Sequence, residues 1–191
     1  TVEMSQITLG NGSNDILELV ARTFIAPHQS AVYSQHAFAV YPLVVQAVGA
    51  TGIEVPAQDF GHDLVAMAQA VREDTAVVFL ANPNNPTGTC FSEAAFAAFM
   101  QQIPSNVLVV LDEADVEYFP EQFNSLKFLP QYPNLLISRT FSKAYGLAAL
   151  RVGFGLASSQ ISDLINRVRQ PFNVNSLALA GAAAALADEA F

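Results

Sequence analysis

At 191 residues and 20.4 kDa, the chain is the size of one domain or one and a half. Hydrophobic residues make up 52%, enough for a sizeable core, which excludes a disordered chain. A net charge of −9 and a pI near 4.5 argue against a nucleic-acid binder or a polybasic membrane-surface protein. Only 13% of residues are charged, so part of the surface is expected to face another subunit or domain. The single cysteine, Cys90, excludes an intramolecular disulfide framework and fits a reducing compartment, the cytoplasm. No uninterrupted apolar run reaches the roughly 18 residues of a membrane span. The Ala-rich stretch 177–187 comes nearest and is too short. Thr1 leads into acidic and polar residues rather than the basic start of a signal peptide.

In chain order, residues 14–25 carry apolar side chains at Ile16, Leu17, Val20, Ala21 and Phe24, a helical face entered from a Gly-rich turn. Residues 31–34 read as a strand. Residues 38–48 read as a helix, with Pro42 tolerable in its first turn. A strand over 52–55 and a helix over 64–71 follow. The run 75–81 (TAVVFLA) is continuously apolar, the mark of a strand buried on both faces. Residues 92–102 form a helix with Ser92 as N-cap. Three further strands are predicted over 107–111 (VLVVL), 135–138 and 152–157, then a helix over 160–169. Buried strands alternating with amphipathic helices imply an α/β fold: a mostly parallel (mixed) central sheet with helices on both faces. Ligands of such sheets sit beyond the carboxyl ends of the strands. Residues 82–88, 112–115 and 139–143 lie there.

Asp112 directly follows VLVVL. It reads as a helix cap or as a carboxylate holding a cation. Metal ligation is a poor fit, because Glu113 points to the opposite face and no His is near in sequence. The chain has two lysines, Lys127 in a polar stretch and Lys143 in SRTFSKAYGL. Around Lys143, the nearby cations Arg139 and Arg151 are expected to favour a nucleophilic amine able to form a Schiff base. Thr140, Ser142 and Arg151 together could grip a phosphate. In LGNGSNDIL (9–17), two glycines lead into a helix start, a ready anion site. Asp15 stands where a nicotinamide-binding G-x-G-x-x-G pattern needs its third glycine, which disfavours a dehydrogenase. In ANPNNPTG (81–88), prolines fix a rigid loop whose amides, at Asn82, Asn84 and Asn85, face the same crevice.

Taken together, the runs NPNNPTG, DEA and RTFSKAYGLAALRVG resemble the fold type I pyridoxal-phosphate enzymes of the aspartate aminotransferase superfamily. Within it they are most similar to the histidinol-phosphate aminotransferase family. The resemblance covers nearly the whole chain, and the Lys motif with Arg151 eight residues on is its most specific part. It implies pyridoxal 5′-phosphate as cofactor, bound through a Schiff base to Lys143, which then moves the proton at the substrate Cα. Asp112 would pair with the protonated ring nitrogen. Asn85 would donate to the ring O3′, and Tyr41 would stack on the ring face, with Phe38 as substitute. Ser13 and Asn14 backbone amides, Thr140, Ser142 and Arg151 would hold the phosphate. The implied reaction is amino transfer between L-histidinol phosphate and 2-oxoglutarate, a step of histidine biosynthesis. Another (aromatic) amino-acid aminotransferase, a phosphothreonine-type decarboxylase, or a domain that binds cofactor without turnover are the alternatives. The expected partners are a small-molecule amino donor, a 2-oxo acid and a second copy of the chain in a homodimer. Residues 1–191 match the cofactor-binding large domain, without the family's N-terminal arm and C-terminal small domain. One residue departs from the family pattern DEAY: Asp115 stands in place of the tyrosine that shares the O3′ hydrogen bond. A carboxylate there is expected to repel that oxygen or turn to solvent.

Overall fold

A computed structural model describes residues 2–119 and 124–188. Among these residues seven strands form one sheet: β1 (Ile7–Gly10), β2 (Ser30–Ser34), β3 (Thr51–Val55), β4 (Thr75–Ala81), β5 (Leu108–Asp112), β6 (Leu135–Thr140) and β7 (Gly153–Ala157). Their spatial order is β1-β7-β6-β5-β4-β2-β3. The five strands from β6 to β3 run parallel, while β7 and β1 are antiparallel to their neighbours. The sheet is therefore mixed, as the strand–helix alternation implied.

Among the described residues six α-helices accompany it: α1 (Ser13–Phe24), α2 (Val40–Ala47), α3 (Leu64–Gln69), α4 (Glu93–Met100), α5 (Ser159–Val168) and α6 (Ser176–Ala187). The twofold alternation of the buried strands feeds two cores. Val77, Phe79, Leu108, Val110 and Leu136 pack with α1, α2 and α5 on one face. Val78, Leu80, Val109, Leu111, Leu135 and Ile137 pack with α3 and α4 on the other. The Ser92 hydroxyl accepts from the Ala95 N–H at 3.2 Å, so the predicted cap opens α4.

Two differences from the sequence reading shape the site. β5 runs through Asp112, because that residue stays in the ladder opposite Ala81 and Ser138. Predicted to begin at residue 38, α2 begins at Val40 and leaves Phe38 free of the helix, with Pro42 in the first turn. The stretch 177–187 lies within α6, which Asn175 caps. Its buried residues are Ala178 and Ala182, while Leu177 and Leu186 face outward. Among the described residues no helix is long and apolar enough to cross a membrane.

Candidate active site

Strand alternation decides which groups meet beyond the sheet's carboxyl edge. On β5, Asp112 continues the face of Leu108 and Val110, and on β6 Ser138 and Thr140 continue the face of Leu136. Glu113 and Arg139 fall on the opposite face and pair there, with Arg139 Nη2 2.7 Å and Nε 2.9 Å from Glu113 Oε2. Arg139 is thereby committed to Glu113. The cation expected beside Lys143 is on the far side of the sheet.

Asp112 is buried, with the Ser138 hydroxyl donating to Oδ1 at 2.7 Å and the Tyr41 hydroxyl to Oδ2 at 2.9 Å. Burial pushes its carboxyl above the usual range, although these two donors and the Ala114 N–H pull the other way. All of these donors are neutral. A cation brought to Asp112 would relieve the cost of that burial. Tyr41 is fully buried, and burial together with the Asp112 charge raises its phenol well above the usual range, so it serves as a neutral donor.

A cavity of about 190 Å³ opens over Asp112. Ser13, Asn14, Asn85, Asp112, Thr140, Ser142, Lys143 and Arg151 all line it, eight of the nine residues singled out from sequence. Tyr41 does not. Its ring stacks on Phe79 with centroids 5.1 Å apart, and it reaches Asp112 from below. The aromatic in the cavity wall is Phe38, whose ring meets Tyr41 edge-on. Of the two aromatics, the structure brings Phe38 rather than Tyr41 to the cavity.

The loop after β4 separates its three asparagines by duty. Asn82 binds the Phe91 backbone through both side-chain ends, at 3.1 and 3.3 Å. Asn84 donates to the His36 carbonyl and the Thr87 hydroxyl, both at 2.8 Å. Those two shape the loop, and Asn85 is left to the cavity.

At the other end, α1 begins at Ser13 with no side chain capping it, so the positive end of the helix points into the cavity. Asp15 is turned away, accepting from the Asn11 N–H and the Asn173 amide, each at 2.8 Å. Arg151 adopts a left-handed backbone (φ 59°), and its Nη1 donates to the Ser142 hydroxyl at 3.1 Å and the Ala148 carbonyl at 2.8 Å. The guanidinium lies against Gly12, where a Cβ would overlap it. An uncapped helix start, two hydroxyls and a fixed guanidinium make a cradle for a dianionic phosphate.

Sequence reasoning missed one member of this arrangement and the pairing of another. Ser138 shares the Asp112 face at the paired position of β6, a relation readable only once β5 and β6 are known to be neighbours. Asp115 does not turn to solvent: its Oδ1 is 3.2 Å from Lys143 Nζ, and both residues line the cavity wall.

Residues 1–191 match the family model described as aminotransferase class I and II. Over 192 aligned positions, the chain is 63% identical to histidinol-phosphate aminotransferase 2 of Pseudomonas fluorescens Pf0-1, covering 100% of this chain and 52% of that protein. It is 61% identical to histidinol-phosphate aminotransferase 2 of Pseudomonas aeruginosa PAO1, covering 98% of this chain and 51% of the relative. The chain thus spans about half the length of the curated relatives it matches. The crystal structure of histidinol-phosphate aminotransferase from Sinorhizobium meliloti, in complex with pyridoxal-5′-phosphate, superposes with a TM-score of 0.92 at 33% identity. That match covers 97% of this chain and 51% of the other. The chain belongs to the aminotransferase class I and II family.

Proposed function

We propose that this chain is the cofactor-binding large domain of a pyridoxal-phosphate-dependent aminotransferase that moves an amino group between L-histidinol phosphate and 2-oxoglutarate. The observation that carries the proposal is one cavity holding an amine, a buried carboxylate and an anion cradle at its separate walls. The residues fit the cofactor. Asp112, buried among neutral donors, suits a protonated ring nitrogen, and the cradle formed by Gly12 and Arg151 suits the phosphate. When bound, pyridoxal phosphate supplies an aldehyde that bonds amines and a ring that accepts the electron pair released at the substrate Cα.

Each residue then has a defined task. Lys143 Nζ would take the proton from the substrate Cα and carry it, as the acid and base of the site. Asp112 accepts from the ring N–H, while Tyr41 and Ser138 fix its two oxygens and keep it from rotating. Asn85 donates to the ring hydroxyl, and Phe38 packs against the ring. The Ser13 and Asn14 backbone N–H groups, Thr140, Ser142 and Arg151 hold the phosphate.

The choice of amino donor rests on the relatives, which carry the histidinol-phosphate aminotransferase name at 61% and 63% identity. A homodimer of the cytoplasm completes the proposal: outward-facing Leu43, Val65 and Leu177 offer apolar contact, and the exposed thiol of Cys90 suits a reducing compartment.

The test is an absorbance titration with pyridoxal phosphate, followed by borohydride reduction and peptide mapping, with gel filtration of the same sample. A visible band trapped on Lys143, in a particle twice 20.4 kDa, is the expected result. A band trapped on Lys127, or none, would overturn the site. A panel of amino donors offered to the whole protein then separates histidinol phosphate from aromatic amino acids and from phosphothreonine decarboxylation.

A further inference from the structure

The cavity holds a second carboxylate that the tasks above leave unused. Asp115 follows β5 by three residues and stands at the start of the short 3-10 turn Val116–Tyr118, but its side chain caps nothing there. Its carboxylate instead faces Lys143 Nζ at 3.2 Å, with side chains 19% and 40% exposed. Three of the charged groups nearby are already engaged, and Glu117, in the turn after Asp115, adds a second acid rather than a competing cation. Asp112 takes Tyr41 and Ser138, Arg139 takes Glu113, and Arg151 takes Ser142 and the Ala148 carbonyl.

We propose that Asp115 is the positioning residue for Lys143, its carboxylate holding the Nζ ammonium whenever that nitrogen is not covalently engaged. The proposal rests on the reading of Lys143 as a carbonyl-capturing amine and adds the group that controls it. An ammonium has no lone pair to offer a carbonyl carbon. Lys143 must shed a proton and leave Asp115 before the C–N bond forms. In sum, an aldehyde and the ammonium give a protonated C=N bond and one water: the C=O bond breaks, and its oxygen leaves with two of the three nitrogen-bound protons. The nitrogen is cationic before and after, so a carboxylate within reach favours both ends of the reaction. Its effect falls mainly on the neutral amine between them, and so on the rate of capture.

Only two lysines are present, which makes the test direct. The cofactor-free chain is labelled with formaldehyde and cyanoborohydride at neutral pH, and Lys143 is compared with Lys127, itself paired with Glu93, by peptide mass spectrometry. Asp115→Asn should raise the Lys143-to-Lys127 labelling ratio roughly threefold to fivefold, the factor that a partly exposed ion pair supports. Asp115→Glu should restore the wild-type ratio, which a merely structural role would not do. An unchanged ratio in Asp115→Asn, or the same rise in Asp115→Glu, would overturn the proposal. A measurement on the unaltered chain stands beside the variants. Carbodiimide should join Asp115 to Lys143 as an amide, the carboxylate oxygen passing to the reagent as its urea, and the absence of that cross-linked peptide overturns the proposal even if a variant does not fold. None of these readouts uses pyridoxal phosphate. A failed absorbance titration beside a positive labelling result would therefore sink the cofactor reading and leave the Lys143–Asp115 pair standing.

Discussion

On the proposed function, Asp112 is held for a partner rather than for the fold. Its carboxyl is pushed upward by burial, and its donors, Tyr41, Ser138 and the Ala114 N–H, carry no charge. Removing the charge should therefore cost the empty domain little. Asp112→Asn is expected to unfold in urea at unchanged or slightly higher midpoint, a gain of up to about 1 kcal/mol. The same variant should retain pyridoxal phosphate at least about tenfold less well, a loss near 1.4 kcal/mol. A clear loss of stability would contradict this account of Asp112. His62 shows the converse, a ring whose neutrality serves the fold. Its Nε2 accepts the Ala81 N–H at 2.9 Å, at the end of β4 where the asparagine loop departs, and burial pushes its pKa down to about 4. The unfolded ring takes a proton below about pH 6.5, whereas the folded ring resists until about 4. Stability from this group is therefore complete above pH 6.5 and is lost as the pH falls toward 4, by on the order of 3 kcal/mol. His62→Gln should remove that slope, and parallel curves for the two proteins between pH 6.5 and 4 would show that His62 is not its source.

Among the elements, the start of α1 depends on a strand it never hydrogen-bonds. A Cβ on Gly153, the first residue of β7, would stand 2.5 Å from the Ser13 nitrogen, 2.7 Å from the Gly12 carbonyl carbon and 2.9 Å from the Arg139 oxygen. Backbone on all three sides cannot swing away as a side chain can. Gly153→Ala should therefore push the helix start off the sheet, at a cost of about 3 kcal/mol or more, and lift the Ser13 and Asn14 N–H groups out of the cradle. Thermal unfolding and phosphate affinity should fall together. A variant that loses stability yet binds phosphate as before would separate the two. The elements also show where sequence reasoning reaches. Long apolar runs such as β4 and β5 declare themselves through composition, and α4 through its Ser92 cap. The first turn of α2 does not, since Phe38, Ala39 and Val40 suit a helix equally well, and only packing sets the start at Val40. Phe38, just ahead of the helix, faces the cavity, and Tyr41, in its first turn, faces Phe79 and Asp112. In α6 the Ala-rich sequence carries no amphipathic stripe, so its buried face, Ala178 and Ala182, is fixed by contact with Phe141 and Val152 and with the partly buried Leu147 and Leu150.

For the molecule as a whole, the fold and most of the cavity lining were legible, because motif residues sit at strand ends and a parallel sheet gathers its strand ends at one edge. What was not legible is pairing across that edge. Asp115 and Lys143 lie 28 positions apart on loops after neighbouring strands, and Ser138 meets Asp112 through register, neither of which a linear pattern encodes. Asp112 and Glu113 are adjacent acids that differ in fate by one step of the pleat: one faces Tyr41 and Ser138, the other Arg139. Suppose β5 were displaced by a single residue. Glu113 would arrive under the cavity, Asp112 would confront Arg139, and Val109 and Leu111 would exchange cores with Leu108 and Val110. The chain therefore proofreads its own chemistry as it folds. A domain with the wrong acid beneath the cavity would also have misfitted cores, so an assembled sheet already certifies which carboxylate waits there.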